Sequence, residues 1–495
     1  FFSKAQKIIM TALTFTVLAA FLCAMVQGIP HWFQGKMIHD HTSNYNGADQ
    51  NESFFVQKLD HYNRAVNGTF KQRYFVNETQ WTGTSESPVV FLCVGGEGPP
   101  MDRSVLTASA HCNDMVELAP KHGAIMFALE HRYYGPSRPF DDYSTEHLQW
   151  LNTEQALGDI AAFHTFISKK FNLPANARWV TWGGSYPGML AALARLRFPH
   201  LIYASVSSSS PLQAAVDMPG YNNVVAESMA DKDVGGSQAC LDAIVAGHKD
   251  IGEQLKTPEG RSALETTFNI CKPGTLEDPK NQEQFAGDGV VYLPVQSNDP
   301  ACTTPYCDIA SICVLLTNET IGTPTARLAN LASIQHMGAC TQPDYEGMIK
   351  FWSSPKNLDR TWLYQTCTEW GFYQTCETGT NCPYTQGLHT PDVDLDLCQQ
   401  AFGFSPDQVT EQINFANSIY GGANIQSSRI MFTNGQIDPW RANGVAVSPN
   451  AEEPVLLVPG ASHHFWTHPS LPTDAAPVNE ARQAIWTQVS AWLAL

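Results

Sequence analysis

Three short, continuously apolar runs, each followed by a stretch of helical character, constrain this chain more than any other feature of its sequence. Pro88-Val-Val-Phe-Leu-Cys-Val94 ends in Gly95-Gly96-Glu97-Gly98, Ala124-Ile-Met-Phe-Ala-Leu129 follows, and Trp179-Val-Thr-Trp182 is the third. A run without polar alternation has no face to turn to water, so it suits a strand buried on both sides of a parallel sheet. Helical-looking stretches lie at 102–121 and 153–171. Strand and helix in alternation predict a doubly wound α/β sheet. A further strand-like segment, Thr69 to Val76, precedes the three runs.

The alternation stops near residue 212, where cysteines, prolines and short amphipathic pieces take over. It returns at Arg429-Ile-Met-Phe-Thr433 and Pro454-Val-Leu-Leu-Val458. A last helix is predicted from Glu480 to Leu495, with Ala484, Ile485, Val489, Trp492 and Leu493 at helical spacing. The expected organisation is a sheet domain over 53–211 and 351–495, split by an inserted cap over 212–350.

The first residues carry an address. Lys4 and Lys7 precede an apolar run from Ile8 to Val26, followed by Gly28-Ile29-Pro30. This is the pattern of a signal peptide over 1–28, or of a membrane anchor if the segment is retained. Of 13 cysteines, Cys23 falls in that segment, and most of the others cluster between Cys240 and Cys398. No pair of CxxC motifs with a histidine partner is present, so no metal is expected and disulfides in an oxidising compartment are. Cys93, inside an apolar run, reads as a buried thiol. Sequons at Asn51, Asn67, Asn77 and Asn318 fit the same route. The net charge of −18 argues against nucleic acid as a partner and suits an acidic compartment.

The chemistry centres on Trp182-Gly183-Gly184-Ser185-Tyr186-Pro187-Gly188, placed between a strand and the Ala-rich stretch Met189–Leu196. It fits G-x-S-x-G at Gly183 and Ser185, but Pro187 takes the last glycine's place and Gly188 comes one position late. Small residues are needed where a strand turns sharply into a helix, and proline is tolerated in a first helical turn. The turn lifts a serine hydroxyl above the sheet at a helix N-terminus, whose dipole favours developing negative charge. Such a hydroxyl needs a base, and the base needs an orienting acid. Asp438, in Asn434-Gly-Gln-Ile-Asp438-Pro-Trp440, follows one late strand, and the pair His463-His464, in Gly460-Ala-Ser-His-His464, follows the next. The order Ser, Asp, His and the strand-end placement of all three match a hydrolase triad. From the residues alone either histidine could serve. The backbone N–H of Tyr186 and one from the Gly95–Gly98 loop, at Gly96, are the expected oxyanion donors.

These segments, with Glu130-His-Arg-Tyr-Tyr-Gly135, together resemble the serine carboxypeptidase-like peptidase family of lysosomal prolylcarboxypeptidase, dipeptidyl peptidase II and thymus-specific serine protease. The likeness runs over most of the chain from about residue 53. It is nearest to the thymus-specific member, on Phe198-Pro-His-Leu-Ile-Tyr-Ala-Ser-Val206, Tyr221-Asn-Asn-Val-Val225 and Trp362-Leu-Tyr-Gln-Thr-Cys-Thr-Glu369. The resemblance implies an α/β-hydrolase fold with a mostly helical, disulfide-bearing cap, and Ser185, Asp438 and His463 as triad. It further implies Met189 and Trp440 as the lining of a small apolar pocket for the residue before the scissile bond, often proline, and Glu97 as a substrate contact. Phe465-Trp466 stands where relatives carry a polar pair, which bears on pocket shape.

The function expected is therefore a serine-type exopeptidase of the secretory pathway, in a lysosome, vacuole or the extracellular space. Its partners would be peptide substrates, with a homodimer compatible and no cofactor needed. An esterase or acyltransferase on the same fold is the first alternative, since a fold does not fix a substrate. A non-catalytic binding protein is the second, but a binding scaffold has no need to keep all of Ser185, Asp438 and His463.

Overall fold

The computed structural model describes residues 52–83 and 86–495. Segment 1–28, read from the sequence as a signal peptide or anchor, and the Asn51 sequon lie outside the described residues. Eight strands form one sheet in the order β1-β2-β4-β3-β5-β6-β7-β8. The strands are β1 (Ser53–Lys58), β2 (Thr69–Asn77), β3 (Val89–Val94), β4 (Ile125–Leu129), β5 (Arg178–Gly184), β6 (Ile202–Ser208), β7 (Ile430–Gly435) and β8 (Val455–Val458). β1 and β2 pair antiparallel, β2 meets β4 antiparallel, and every pairing from β4 to β8 is parallel. This is the α/β-hydrolase arrangement, with an antiparallel edge on a parallel sheet.

The apolar runs are explained by what covers them. Along β3, Val90, Leu92 and Val94 face one core, and Phe91 and Cys93 face the other. Helices α2 (Thr153–Lys170) and α3 (Tyr186–Arg197) pack on the first face through residues such as Ile160, Phe163, Leu190 and Leu193. Helix α1 (Asn113–His122) and a C-terminal helix, Ala476–Leu493, cover the second with Met115, Leu118, Ile485 and Val489. Both faces are dry, so hydrophobicity is continuous rather than alternating.

Three elements differ from the sequence expectation. The helical stretch at 102–121 is broken into a 3₁₀ turn, Arg103–Leu106, and α1. At the start of α1, Cys112 is bonded to Cys93 of β3, with 6.1 Å between their Cα atoms. Cys93 is thus a disulfide half rather than a free thiol, and the bridge ties α1 to the sheet. The strand β6 escapes pattern reading because Ser205, Ser207 and Ser208 lie in its centre. They are buried; Ser207 Oγ donates to Gly188 O (2.9 Å) and lies 2.8 Å from Ser210 Oγ. β1 is an edge strand with Phe54 and Val56 exposed, so it carries little apolar signal of its own.

Between β6 and β7 the chain runs through a series of helices, from Pro219–Ala230 to Pro406–Tyr420. The disulfides Cys240–Cys313, Cys271–Cys340, Cys302–Cys307, Cys367–Cys398 and Cys376–Cys382 all lie within this insertion. Among the described residues no helix is long and apolar enough to cross a membrane.

One buried carboxyl gives the fold a pH signature. Asp114 in α1 is 2% exposed, its Oδ1 accepts the Met115 N–H, and its Oδ2 has no partner. Burial pushes its pKa up from the usual carboxylate range to about 7. The folded state therefore holds this proton more tightly than the unfolded chain, so stability falls as pH rises from about 4 to 7. Asp114→Asn, which mimics the protonated form, is expected to raise Tm at pH 8 by a few degrees and to change little at pH 4. Thermal melts of both proteins at the two pH values check this; an equal effect at both would remove Asp114 as its source.

Candidate active site

Ser185 sits between β5 and α3 with φ 62° and ψ −134°, a strained conformation for a residue with a side chain. Its N–H donates to Ser208 O at 2.9 Å, which anchors the turn to β6. The sequence departure at 187 and 188 has a geometric reason. A Cβ on Gly188 would lie 2.2 Å from Ser210 Oγ and 2.8 Å from Gly183 O, so the close approach across this turn falls at 188. Pro187, free of that contact, occupies the first turn of α3 and leans on the Gly95–Gly98 loop, where a Cβ at Gly96 would come within 2.4 Å of its ring. Gly96 and Pro187 are thus a matched pair, one small because the other is rigid.

Asp438 stands at the start of a 3₁₀ turn, Pro439–Asn443, directly after β7. The carboxylate is fully buried; Oδ1 accepts the Trp440 N–H at 3.0 Å, and both oxygens lie 2.9 Å from His463 Nδ1. Nδ1 facing a carboxylate carries the proton, leaving Nε2 as the basic nitrogen. That Nε2 is buried and has no hydrogen-bond partner in the protein. His463 and Ser185 line one cleft of about 440 Å³, together with Gly96, Glu97, Pro187 and Gln296. Ser185 Oγ and His463 Nε2 face the same cleft without a hydrogen bond between them.

His464 goes elsewhere. Its backbone sits at φ 39°, its N–H donates to Ser209 Oγ at 2.8 Å, and its Nδ1 lies 3.1 Å from Thr467 Oγ. The Thr467 hydroxyl donates to Ala110 O at 2.6 Å, so His464 Nδ1–H is the donor to it. Burial, and then the neighbouring His463, His468 and His111, hold the His464 pKa well below the usual histidine value. It is a neutral ring packed 4.5 Å from that of His463.

Tyr186 opens α3, so its N–H belongs to the first turn, where no intrahelical carbonyl can receive it. Its buried hydroxyl accepts from Gln365 Nε2 at 2.8 Å and lies 3.3 Å from His131 Nε2. Glu97 is half-buried on the cleft wall. Met189 and Trp440 are buried, and neither is part of the cleft lining. The Trp440 ring packs edge-on against Tyr221 and Phe372, with centroids 5.2 and 5.5 Å away. Among the described residues no group of histidines, cysteines and carboxylates could hold a metal ion.

The Glu130-His-Arg-Tyr-Tyr-Gly motif builds the floor. Glu130 accepts from Arg73 at 2.5 Å and from the Ser137 hydroxyl at 2.6 Å, while Arg132 grips Asp159 through two 2.7 Å bonds. Sequence reasoning assigned no part to Gln296, which comes from the insertion and lies against both the Asp438 and His463 loops. Nothing in Leu293-Pro-Val-Gln296-Ser297 marks it; only tertiary packing brings it there.

A strained strand-to-helix serine on a largely parallel sheet, with a His–Asp pair on loops after two later strands, defines an α/β-hydrolase-type serine hydrolase. The comparisons narrow the class. A profile of the serine carboxypeptidase S28 family matches residues 57–485, and the chain belongs to that family. Thymus-specific serine protease of Mus musculus is 35% identical over 471 residues, 90% of this chain and 88% of that one. Its Homo sapiens counterpart is 34% identical over 463 residues, 89% and 86% of the two chains. Lysosomal Pro-X carboxypeptidase of Bos taurus is 26% identical over 457 residues, 89% and 87%. The chain is a serine peptidase of this family.

The sequons divide by geometry. Asn67 and Asn318 are exposed, whereas Asn77 is 8% exposed and its Nδ2 donates to Leu106 O at 2.8 Å. A glycan on that nitrogen would break the bond and could not be housed. Glycopeptide mapping of the protein is therefore expected to find Asn77 bare, whatever the occupancy of the other sequons; a fully occupied Asn77 would contradict this packing.

Proposed function

We propose that the peptidase works through Ser185 as nucleophile, His463 as general base and Asp438 as the orienting acid, by way of an acyl-enzyme. The observation that carries this reading is the buried, unpartnered Nε2 of His463, held in its tautomer by Asp438 on the wall of the cleft that Ser185 also lines. His463 Nε2 takes the Ser185 proton as Oγ attacks the scissile carbonyl. The same proton then passes to the leaving amine, and a water repeats the sequence to free the acyl group. The negative oxygen formed in each step would be met by the Tyr186 N–H and by the backbone at Gly96.

Cleavage after proline or a small residue is part of the proposal, supported by the named specificity of the Pro-X carboxypeptidase relatives. Six disulfides among the described residues, and relatives named as lysosomal, fit a protein of the secretory pathway. Peptides are the partners expected.

Turnover of a proline-containing peptide panel by single variants tests the assignment. Ser185→Ala and His463→Ala are each expected to lose about 10⁴-fold or more in kcat while remaining folded. His464→Ala loosens the loop without removing the base and is expected to keep activity within about 10-fold to 100-fold of the parent. A reversed order for the two histidines would reassign the base, and an active Ser185→Ala protein would end the proposal.

A further inference from the structure

One residue of the insertion touches both halves of the His–Asp pair's support, the histidine through its main chain and the aspartate's neighbour through its side chain. The Gln296 carbonyl accepts the His463 N–H at 3.1 Å. Its side-chain Oε1 accepts from Trp440 Nε1 at 2.9 Å and from the Tyr221 hydroxyl at 2.9 Å. Trp440 is the residue whose backbone N–H donates to Asp438 Oδ1 at 3.0 Å. Gln296 is therefore bonded to the histidine directly and to the aspartate through a single residue.

The segment that carries it is itself fixed. Asn298 O accepts from Ser462 Oγ at 2.9 Å, next to His463, and Asn298 Oδ1 accepts the Ile309 N–H at 2.9 Å. Tyr292 and Ser297 hydroxyls meet at 2.6 Å. The strap from 292 to 298 is thus tied to the base loop at two points and to the next helix at a third.

The chemistry at Gln296 is selective. An indole N–H can only donate, so the group opposite Trp440 must be an oxygen. Burial pushes the Tyr221 pKa well above the usual tyrosine value, so its hydroxyl stays a donor. Two donors therefore converge on one neutral acceptor. A leucine would fill the space and orphan both donors, each at a desolvation cost. A glutamate would accept both but bring a second negative charge toward Asp438 and His463.

We propose that Gln296 is a positioning residue for catalysis: it sets the separation and angle of the Asp438 and His463 loops, and is the insertion's contribution to the reaction. This rests on the triad reading above. It predicts that removing the acceptor slows the chemistry at Ser185 even where the fold survives, because small displacements of a base cost rate steeply.

The test uses the rate at which a fluorophosphonate probe labels the full-length enzyme between pH 4 and 9, which needs no knowledge of the substrate. Gln296→Leu is expected to label at least about 10-fold more slowly at every pH, with circular dichroism unchanged. Gln296→Glu keeps both acceptor bonds, so its plateau rate is expected within about threefold of the parent. Its added charge stabilises the imidazolium, which moves the acid limb of the profile to higher pH. Groups that face His463 are Asp438 and His464, with the Trp440 ring beside it. A parental rate in Gln296→Leu, or an unshifted limb in Gln296→Glu, overturns the proposal, and the second result decides the matter if the leucine variant does not fold. Ser185→Ala separates the two ideas. If it still takes the probe, the triad reading falls; if it is inert while both Gln296 variants behave as the parent, this inference alone falls.

Discussion

A carboxylate with no contact to water can persist only if its oxygens are hydrogen-bonded, and the site is arranged around that requirement. Asp438 is fully buried, and the groups that satisfy it are the Trp440 N–H and the Nδ1–H of His463. Because the aspartate cannot be left without the imidazole, the imidazole cannot turn away. The second nitrogen is thereby left unpartnered in a residue that lines the cleft, the geometry the proposed base needs. Everything else holds the two loops at the distance this bond demands: parallel β7 and β8 start both loops from the same sheet edge, and the strap at 292–298 closes over them.

The Ser185 turn depends on a different constraint, the absence of side chains. Ser185 is held at positive φ because β5, α3 and β6 approach too closely at Gly188 for a Cβ, and because the Ser185 N–H is fixed to Ser208 O. The rigid Pro187 ring stands against Gly96, so the serine turn and the Gly95–Gly98 loop are in direct contact. Strain at such a site is maintained by the packing around it. The insertion adds its own stiffness through five disulfides, which limit how far the strap carrying Gln296 can drift.

Most of this was legible in the sequence where one residue type has one strong reason to be present. The doubly buried strands β3, β4 and β5 announced themselves by continuous hydrophobicity, and Ser185, Asp438 and His463 by their places after strands. Which of His463 and His464 faces Asp438 was not readable from the residues, since two adjacent rings look alike until the chain's φ at 464 is known. β6 was hidden because buried serines interrupt its apolar run, two of them bonded to partners distant in sequence, Ser207 to Gly188 O and Ser208 to Trp466 Nε1. Cys93 was misread because a buried cysteine inside a strand looks the same whether or not Cys112 waits above it. Gln296 was invisible, as a glutamine in a loop has no periodicity to betray it. Met189 and Trp440 are legible as apolar, but which surface they serve is a property of the packing.

The central claim is that a single serine, made reactive by its turn and its base, carries the chemistry. Labelling the native protein with a fluorophosphonate and mapping the adduct by peptide mass spectrometry measures this directly, because neighbouring serines at 207–210 lie close by yet lack the geometry. The account predicts one adduct, on Ser185, absent when the protein is denatured before exposure. An adduct on any of the other serines, or none on the folded protein, would contradict it.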